Sequence, residues 1–324
     1  LFCFSSLKFY NIKSKYAAGG FMKLKDWKVI LPLLAFVLIF FSCAQKRDEL
    51  TIGSSSNPVV LAFSAPYARN VTGAEMEEVA SAISARTLLE VKTKSFSSSV
   101  EIINEIGYKT VDVAFVTLDE YLVSREEYKA KPVLRVLRKN ELKEYRGVVV
   151  TFDGRTNSLK DLEGKKVAMN NPYSVSGFIL PSILFKEKGV RVEPVFTGSH
   201  EMSLSKLKKG EVSAAAFYEA MTEKEKKLVI IAHTRTVPNE PVVCRVALKK
   251  EICESITSAI EEVAKDKKIK NILGKMADIT GFEKVEPFVY KGIHELILES
   301  GKSIYDVIPE GREIKKINEG YFID

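Results

Sequence analysis

Ser158-Leu159-Lys160-Asp161-Leu162-Glu163-Gly164-Lys165-Lys166-Val167-Ala168-Met169, continuing to Asn171-Pro172-Tyr173-Ser174-Val175-Ser176-Gly177-Phe178, is the stretch from which the chain is best read. Lys166 to Met169 has strand length and strand character, and a helix pattern runs from about Ser176 to Lys188. The turn between them, Ser174 to Gly177, therefore opens a helix just after a strand. The first amides of a helix have no partner within it, so with serine hydroxyls beside them they cradle an oxyanion without any basic residue. The partial charge there favours an anion by about 0.3–1 kcal/mol at exposed sites. Ser174 equally reads as a plain N-cap. Thr197-Gly198-Ser199-His200 is a second strand-to-helix turn, and Val237-Pro238-Asn239-Glu240-Pro241-Val242-Val243 ends in what looks like a return strand.

Outward from this stretch, strands and helices alternate. Val59 to Phe63 is an apolar strand, and Thr72-x-x-Glu75 is a capping box opening a helix with Met76, Val79, Ala80 and Ile83 on one face. Leu88 to Val91 reads as a strand, Ser98-x-x-Glu101 as the cap of a helix bearing Ile102, Ile103 and Ile106, and Val111 to Val116 and Val133 to Leu137 as further strands. Val148 to Val150, Val192 to Phe196, Ser213 to Phe217 and Leu228 to Ala232 are strands of a second set, with a helix from Met202 to Lys208. From Lys249 the pattern is helical, with Ile252, Ile256, Ile260 and Val263 on one face. The order predicts an α/β protein of two lobes, each a mostly parallel sheet flanked by helices.

The 324 residues are 46% hydrophobic and 28% charged, which excludes disorder, collagen and coiled coil. The net charge of +7 suggests a nucleic-acid partner only until it is placed. Six lysines and one aspartate lie in residues 1–42, leaving 43 basic against 41 acidic residues in the rest, so no polyanionic partner is called for. The basic stretch Lys23 to Lys28 precedes the apolar run Val29 to Phe41, about 13 residues against the ~20 that span a bilayer. This describes an export signal, with a short transmembrane anchor as the rival. Phe40-Phe41-Ser42-Cys43 resembles a bacterial lipobox, although Leu is expected at Phe40 and a smaller residue at Phe41. Residues 22–42 then form a lipoprotein signal peptide, Cys43 is the lipidated first residue of the mature protein, and 43–58 are a tether. Residues 1–21 are not expected in the working protein, because Met22 stands where a signal begins. Cys244 and Cys253 read as a disulfide or as two buried thiols. His200, His233 and His294 are far apart and no zinc spacing occurs, so no metal or other cofactor is expected.

Taken together, the segments at 158–178, 196–200 and 237–243 resemble the substrate-binding proteins of phosphate, phosphite and phosphonate ABC transporters. That family carries S-L-x-D-L-x-G-K-x-V-A, then P-x-S-T-S-G-F/Y, T-G-S-H and I-P-x-D-P, and Val111 to Phe115 matches its V-D-I-A-W/F strand. The resemblance implies a two-lobed periplasmic-binding-protein fold of type II. Lobe 1 would span 59–144 plus 240–324 and lobe 2 would span 145–239, with crossovers near Val148–Val150 and Pro241–Arg245. It implies that Ser174, Ser176 and Gly177 hold ligand oxygens, with Val175 replacing the family's threonine, and that His200 donates to the ligand. Glu240 stands where the family has an acid that meets a ligand ammonium. Two family tyrosines are replaced near Ser98 or Ser99 and at Val116–Thr117, so Ser99 and Thr117 become candidate contacts, beside Tyr67 and Tyr218, with Glu219 next to the latter. The implied role is capture of a small phosphorus oxyanion by an exported, lipid-anchored protein of the periplasm or cell envelope that serves an ABC permease. The rival roles are binding of a different solute, envelope sensing, or catalysis by Ser176 and His200. No G-x-S-x-G elbow surrounds either serine, so an enzyme is not expected.

Overall fold

The computed structural model describes residues 47–152 and 156–319. The expected export signal, Cys43 and residues 44–46 lie outside the described residues. Strands β1 (Val59–Phe63), β2 (Val91–Ser95), β3 (Val113–Phe115), β4 (Lys131–Leu137), β5 (Glu144–Phe152), β6 (Lys166–Met169), β7 (Glu193–Phe196), β8 (Ala214–Tyr218), β9 (Leu228–Pro238), β10 (Pro241–Cys244) and β11 (Gly281–Lys284) form two sheets. Their orders are β11-β4-β10-β3-β1-β2 and β7-β6-β8-β5-β9. The helices are α1 (Ala65–Ala68), α2 (Gly73–Thr87), α3 (Ser99–Gly107), α4 (Leu118–Tyr128), α5 (Leu180–Glu187), α6 (His200–Lys208), α7 (Lys250–Val263), α8 (Lys267–Ala277), α9 (Lys291–Glu299) and α10 (Gly311–Glu319).

Most elements fall where the periodicity puts them. The Thr72–Glu75 capping box is formed, and Met76, Val79, Ala80 and Ile83 of α2 are buried. β2 starts later than expected because Leu88 caps α2 in the left-handed region (φ 58°) and residues 88–90 turn. Ser98 makes no side-chain cap. β9 runs six residues beyond Ala232, since it pairs with β5 from Phe152↔Leu228 to Glu144↔Pro238.

The sheets are mixed, not mostly parallel. β1–β2, β1–β3, β6–β7 and β6–β8 run parallel, as right-handed βαβ units require. β5 is antiparallel to β8 and β9, and β10 to β3 and β4. The reason is topological. β5 and β10 begin where the chain has just crossed between lobes, so each enters its sheet from the edge at which its neighbours end.

The crossovers therefore lie at about 138–143 and 239–240, not at Val148–Val150 and Pro241–Arg245, since Val148–Val150 is inside β5 and Pro241–Cys244 is β10. Asn239 pins them together: its N–H donates to Lys143 O (2.8 Å) and its Nδ2 to Val136 O (2.9 Å) and Leu142 O (2.8 Å). Tyr290 Oη donates to Asn239 O at 3.1 Å. The C-terminal segment is not confined to lobe 1. Ile293, Leu296 and Ile297 of α9 share an apolar cluster with Ile179, Leu180 and Ile183 of the second lobe. Lys186 Nζ also donates to Glu299 O at 3.4 Å.

Residues 47–58, expected as tether, are docked on lobe 1. Arg47 donates to Asp112 Oδ2 (2.9 Å), Asn57 Oδ1 (2.9 Å) and Pro58 O (2.7 Å). Asp112 is fully buried, also accepts from Val60 N–H (2.9 Å) and from Arg245 Nε (2.9 Å), and Arg245 reaches Glu49 (2.6 Å). Cys244 and Cys253 form a disulfide with Cα atoms 6.3 Å apart, tying the end of β10 to the first turn of α7.

Candidate ligand-binding cleft

The registers place the C-terminal ends of β1, β3 and β4 and the N-terminal end of β10 along one edge of the first sheet. The C-terminal ends of β6, β7 and β8 and the start of β5 line one edge of the second. Open α/β sheets bind ligands at such edges.

On the second lobe the serine turn is built as a π-helical turn, Val175–Ile179, that leads into α5. Such wide turns concentrate at functional sites. Ser174 is its N-cap, with Oγ accepting from Gly177 N–H (3.1 Å), so its hydroxyl proton remains available for donation. Ser176 is buried at 6% exposure. Val175 packs in the apolar cluster with Ile179 and Ile183, so its side chain is core and only its amide belongs to the turn.

Asn170, one residue past β6, links the two predicted turns. Its Nδ2 lies 3.4 Å from Ser174 Oγ and 3.4 Å from His200 Nε2. The short side of Gly177 makes room for this: a Cβ there would stand 2.8 Å from Asn170 Cβ, 2.8 Å from Ser174 Oγ and 2.9 Å from His200 Cε1. His200 follows the Ser199 N-cap of α6 and meets the Tyr218 ring edge-on, centroids 4.9 Å apart. Burial pushes the imidazole down to about 4, so it is neutral at neutral pH. With the Asn170 amide donating to Nε2, the ring proton sits on Nδ1. That atom is buried and has no hydrogen-bond partner among the described residues.

The first lobe contributes a partly buried polar cluster around the buried Glu120 and Tyr67. Thr117 and Glu120 form the capping box of α4, and Ser99 Oγ donates to Glu120 Oε1 at 2.8 Å. The Ser99 hydroxyl is therefore tied to the Glu120 carboxylate, while Thr117 Oγ1 accepts from the Glu120 N–H at 3.4 Å. Tyr67 is buried, with Oη donating to Val116 O at 3.3 Å. Glu240 is paired with Arg138, Nη2 to Oε2 at 2.8 Å. Burial and then Glu240 push the phenols of Tyr67 and Tyr145 well above the ordinary tyrosine value. Glu219, next to Tyr218, is held bidentately by Arg146 at 2.8 and 2.8 Å, with His233 Nε2 at 3.1 Å.

Burial, then the neighbouring Glu120, pushes Asp119 up to about 7. Below that pH, down to the ordinary 3.8, the folded protein keeps a proton that the unfolded chain has released. Asp119 therefore costs stability as pH rises through this window, whereas His200 acts in the opposite sense between about 4 and 6.5. Asp119→Asn is expected to leave the His200 slope exposed, so that urea-unfolding stability climbs with pH from about 4 to 6.5 more steeply than in the wild type. Parallel curves would remove Asp119 from the buried cluster.

Asn170, Arg138, Asp119, Glu120 and Tyr145 were not among the predicted site residues. Asn170 and Arg138 each directly follow a strand end, a position that could have flagged them.

The profile of the family described as "ABC transporter, phosphonate, periplasmic substrate-binding protein" matches residues 62–290. The chain belongs to this family. The binding protein is 26% identical over 162 residues to the phosphate-import protein PhnD of Mycolicibacterium smegmatis, a match covering 42% of this chain and 50% of that relative. It thus spans about half the length of the curated relative. Among solved structures it is similar to PhnD1 of Prochlorococcus marinus in complex with methylphosphonate. That match has a TM-score of 0.61 at 20% identity and covers 76% of this chain and 99% of that one. The binding-protein component of a phosphonate ABC transporter from Pseudomonas aeruginosa superposes with a TM-score of 0.59 at 16% identity, covering 82% and 96%. At these identities the likeness establishes the two-lobed fold. Among the described residues no helix of the binding protein is long and apolar enough to cross a membrane.

Proposed function

We propose that the chain captures a small phosphorus oxyanion between its lobes, without chemistry, and presents it to an ABC permease. One observation carries this reading: the Asn170–Ser174–Gly177–His200 cradle, in which a neutral imidazole holds a buried Nδ1–H without a partner among the described residues. An unsatisfied buried donor costs about 1–3 kcal/mol, which a ligand oxygen recovers. The Ser174 hydroxyl and the first amides of the π-helical turn supply further donors to the same anion. Closure about the Asn239 crossovers would convert occupancy into a shape that a permease reads. Attachment through a lipid on Cys43 belongs to this reading, and mass spectrometry of the membrane-extracted protein tests it: a diacylglyceryl-modified Cys43 supports it and an unmodified N-terminus refutes it.

The deciding experiment is calorimetric titration with phosphate, phosphite, methylphosphonate, 2-aminoethylphosphonate and sulfate. One phosphorus oxyanion is expected to bind tightly, with affinity falling about 10-fold or more in Ser174→Ala and in His200→Ala, as loss of a hydrogen bond to a charged group requires. A second reading, the same fold holding a different solute or sensing at the envelope, draws on Val175 in the core and on Ser99 bound to Glu120. Absence of binding by all five anions would favour it.

A further inference from the structure

Glu240, the acid expected to meet a ligand ammonium, and Glu219, beside Tyr218, are both already held by arginines of the same chain. Arg138 is the more informative of these. It follows β4 at the edge where Thr117 and Glu240 also stand, and only one of its terminal nitrogens is used. Nη2 donates to Glu240, while Nη1 is buried and has no partner among the described residues. Burial alone would disfavour the cation, but Glu240 outweighs it and keeps the guanidinium charged. Tyr218, whose ring packs on His200, lies within the electrostatic reach of both Asp278 and Arg138 of lobe 1.

We infer that Arg138 is the specificity-determining residue of the cleft: Nη1 donates to the captured anion, Glu240 serves to orient it, and the cargo is a phosphorus oxyanion that carries no ammonium group. This inference rests on the oxyanion reading above. An ammonium brought to Glu240 would meet the Arg138 charge instead of a free carboxylate, and like charges in a buried site oppose binding strongly. Arg is suited to the task because its planar fork can serve a carboxylate and an oxyanion at once, which a lysine cannot.

The test compares methylphosphonate, phosphate and 2-aminoethylphosphonate by calorimetry on the full chain, in the wild type, Arg138→Met, Arg138→Lys and Arg138→Met/Glu240→Gln. The wild type is expected to bind methylphosphonate or phosphate at least about 10-fold more tightly than 2-aminoethylphosphonate. Arg138→Met is expected to lose about 10- to 100-fold for the ammonium-free anions while 2-aminoethylphosphonate loses less or gains, because Glu240 is released. Arg138→Lys should restore part of the anion affinity, and the double variant should lose any gain for the amine. Wild-type preference for 2-aminoethylphosphonate, or equal losses for all ligands in Arg138→Met with native melting, overturns the inference and leaves the oxyanion reading intact. If no phosphorus oxyanion binds the wild type, the oxyanion reading itself fails.

Discussion

Alanine at Gly177 is expected to weaken oxyanion binding by at least about 100-fold while leaving a folded protein. Two effects compete. Gly177 lies inside a helical turn and is absent from the positive-φ positions, so an alanine there gains up to about 1 kcal/mol of helix propensity. Against this, the new Cβ falls within 3 Å of Asn170 Cβ, Ser174 Oγ and His200 Cε1 at once. Overpacking a close-packed site costs about 1–3 kcal/mol, so the steric effect wins and net stability falls by no more than about 3 kcal/mol. Affinity is expected to suffer more than stability because the three displaced groups are those proposed above to converge on the anion. The Ser174 Oγ that accepts from Gly177 N–H must swing away, and the imidazole must rotate off Asn170. Calorimetry and thermal melting on the same sample check both halves. Wild-type affinity in Gly177→Ala would show that the ligand sits elsewhere.

Asp112→Ala is expected to cost about 3–5 kcal/mol, the largest stability loss from one substitution predicted here. The carboxylate is fully buried and receives Arg47, Arg245 and the Val60 amide. Arg245 is itself only 2% exposed on its side chain, so removing Asp112 leaves a cation in the core with Glu49 as its remaining ion-pair partner. Arg47, with 20% of its side chain exposed, can rehydrate, so Arg47→Ala should cost less and should chiefly release residues 47–58 from lobe 1. Urea unfolding measures the first, and limited proteolysis within 47–58 the second. A loss under about 1 kcal/mol for Asp112→Ala would show that the buried network contributes little beyond its own desolvation.

Local signals carried a large part of the molecule. The Thr72–Glu75 box, the isoleucines of α3 and the apolar strands are visible because helix and strand periods reflect burial of one face. The cradle on lobe 2 was visible too, since Ser174, Ser176, Gly177 and His200 sit within two turns of fixed sequence spacing. Val175 shows the limit of that reading: adjacent to the serines in sequence, it packs among Ile179 and Ile183.

The opposite lobe was less legible for a physical reason. Ser99 looked like an open contact, but whether a hydroxyl is available depends on its partner, and that partner is Glu120, twenty-one positions away. Glu240 looked like a free acid, but its neutraliser Arg138 lies 102 positions away.

What the residues by themselves determined is the α/β alternation, the two lobes, the family and the serine turn that opens a helix after β6, all products of local periodicity and short spacing. Tertiary structure alone decided the antiparallel entry of the crossover strands, the docking of Arg47 on Asp112 and the pairing of Glu240 and Glu219 with arginines. These depend on which distant segments are brought within bonding distance, and burial sets their energy, so no local window of sequence contains them.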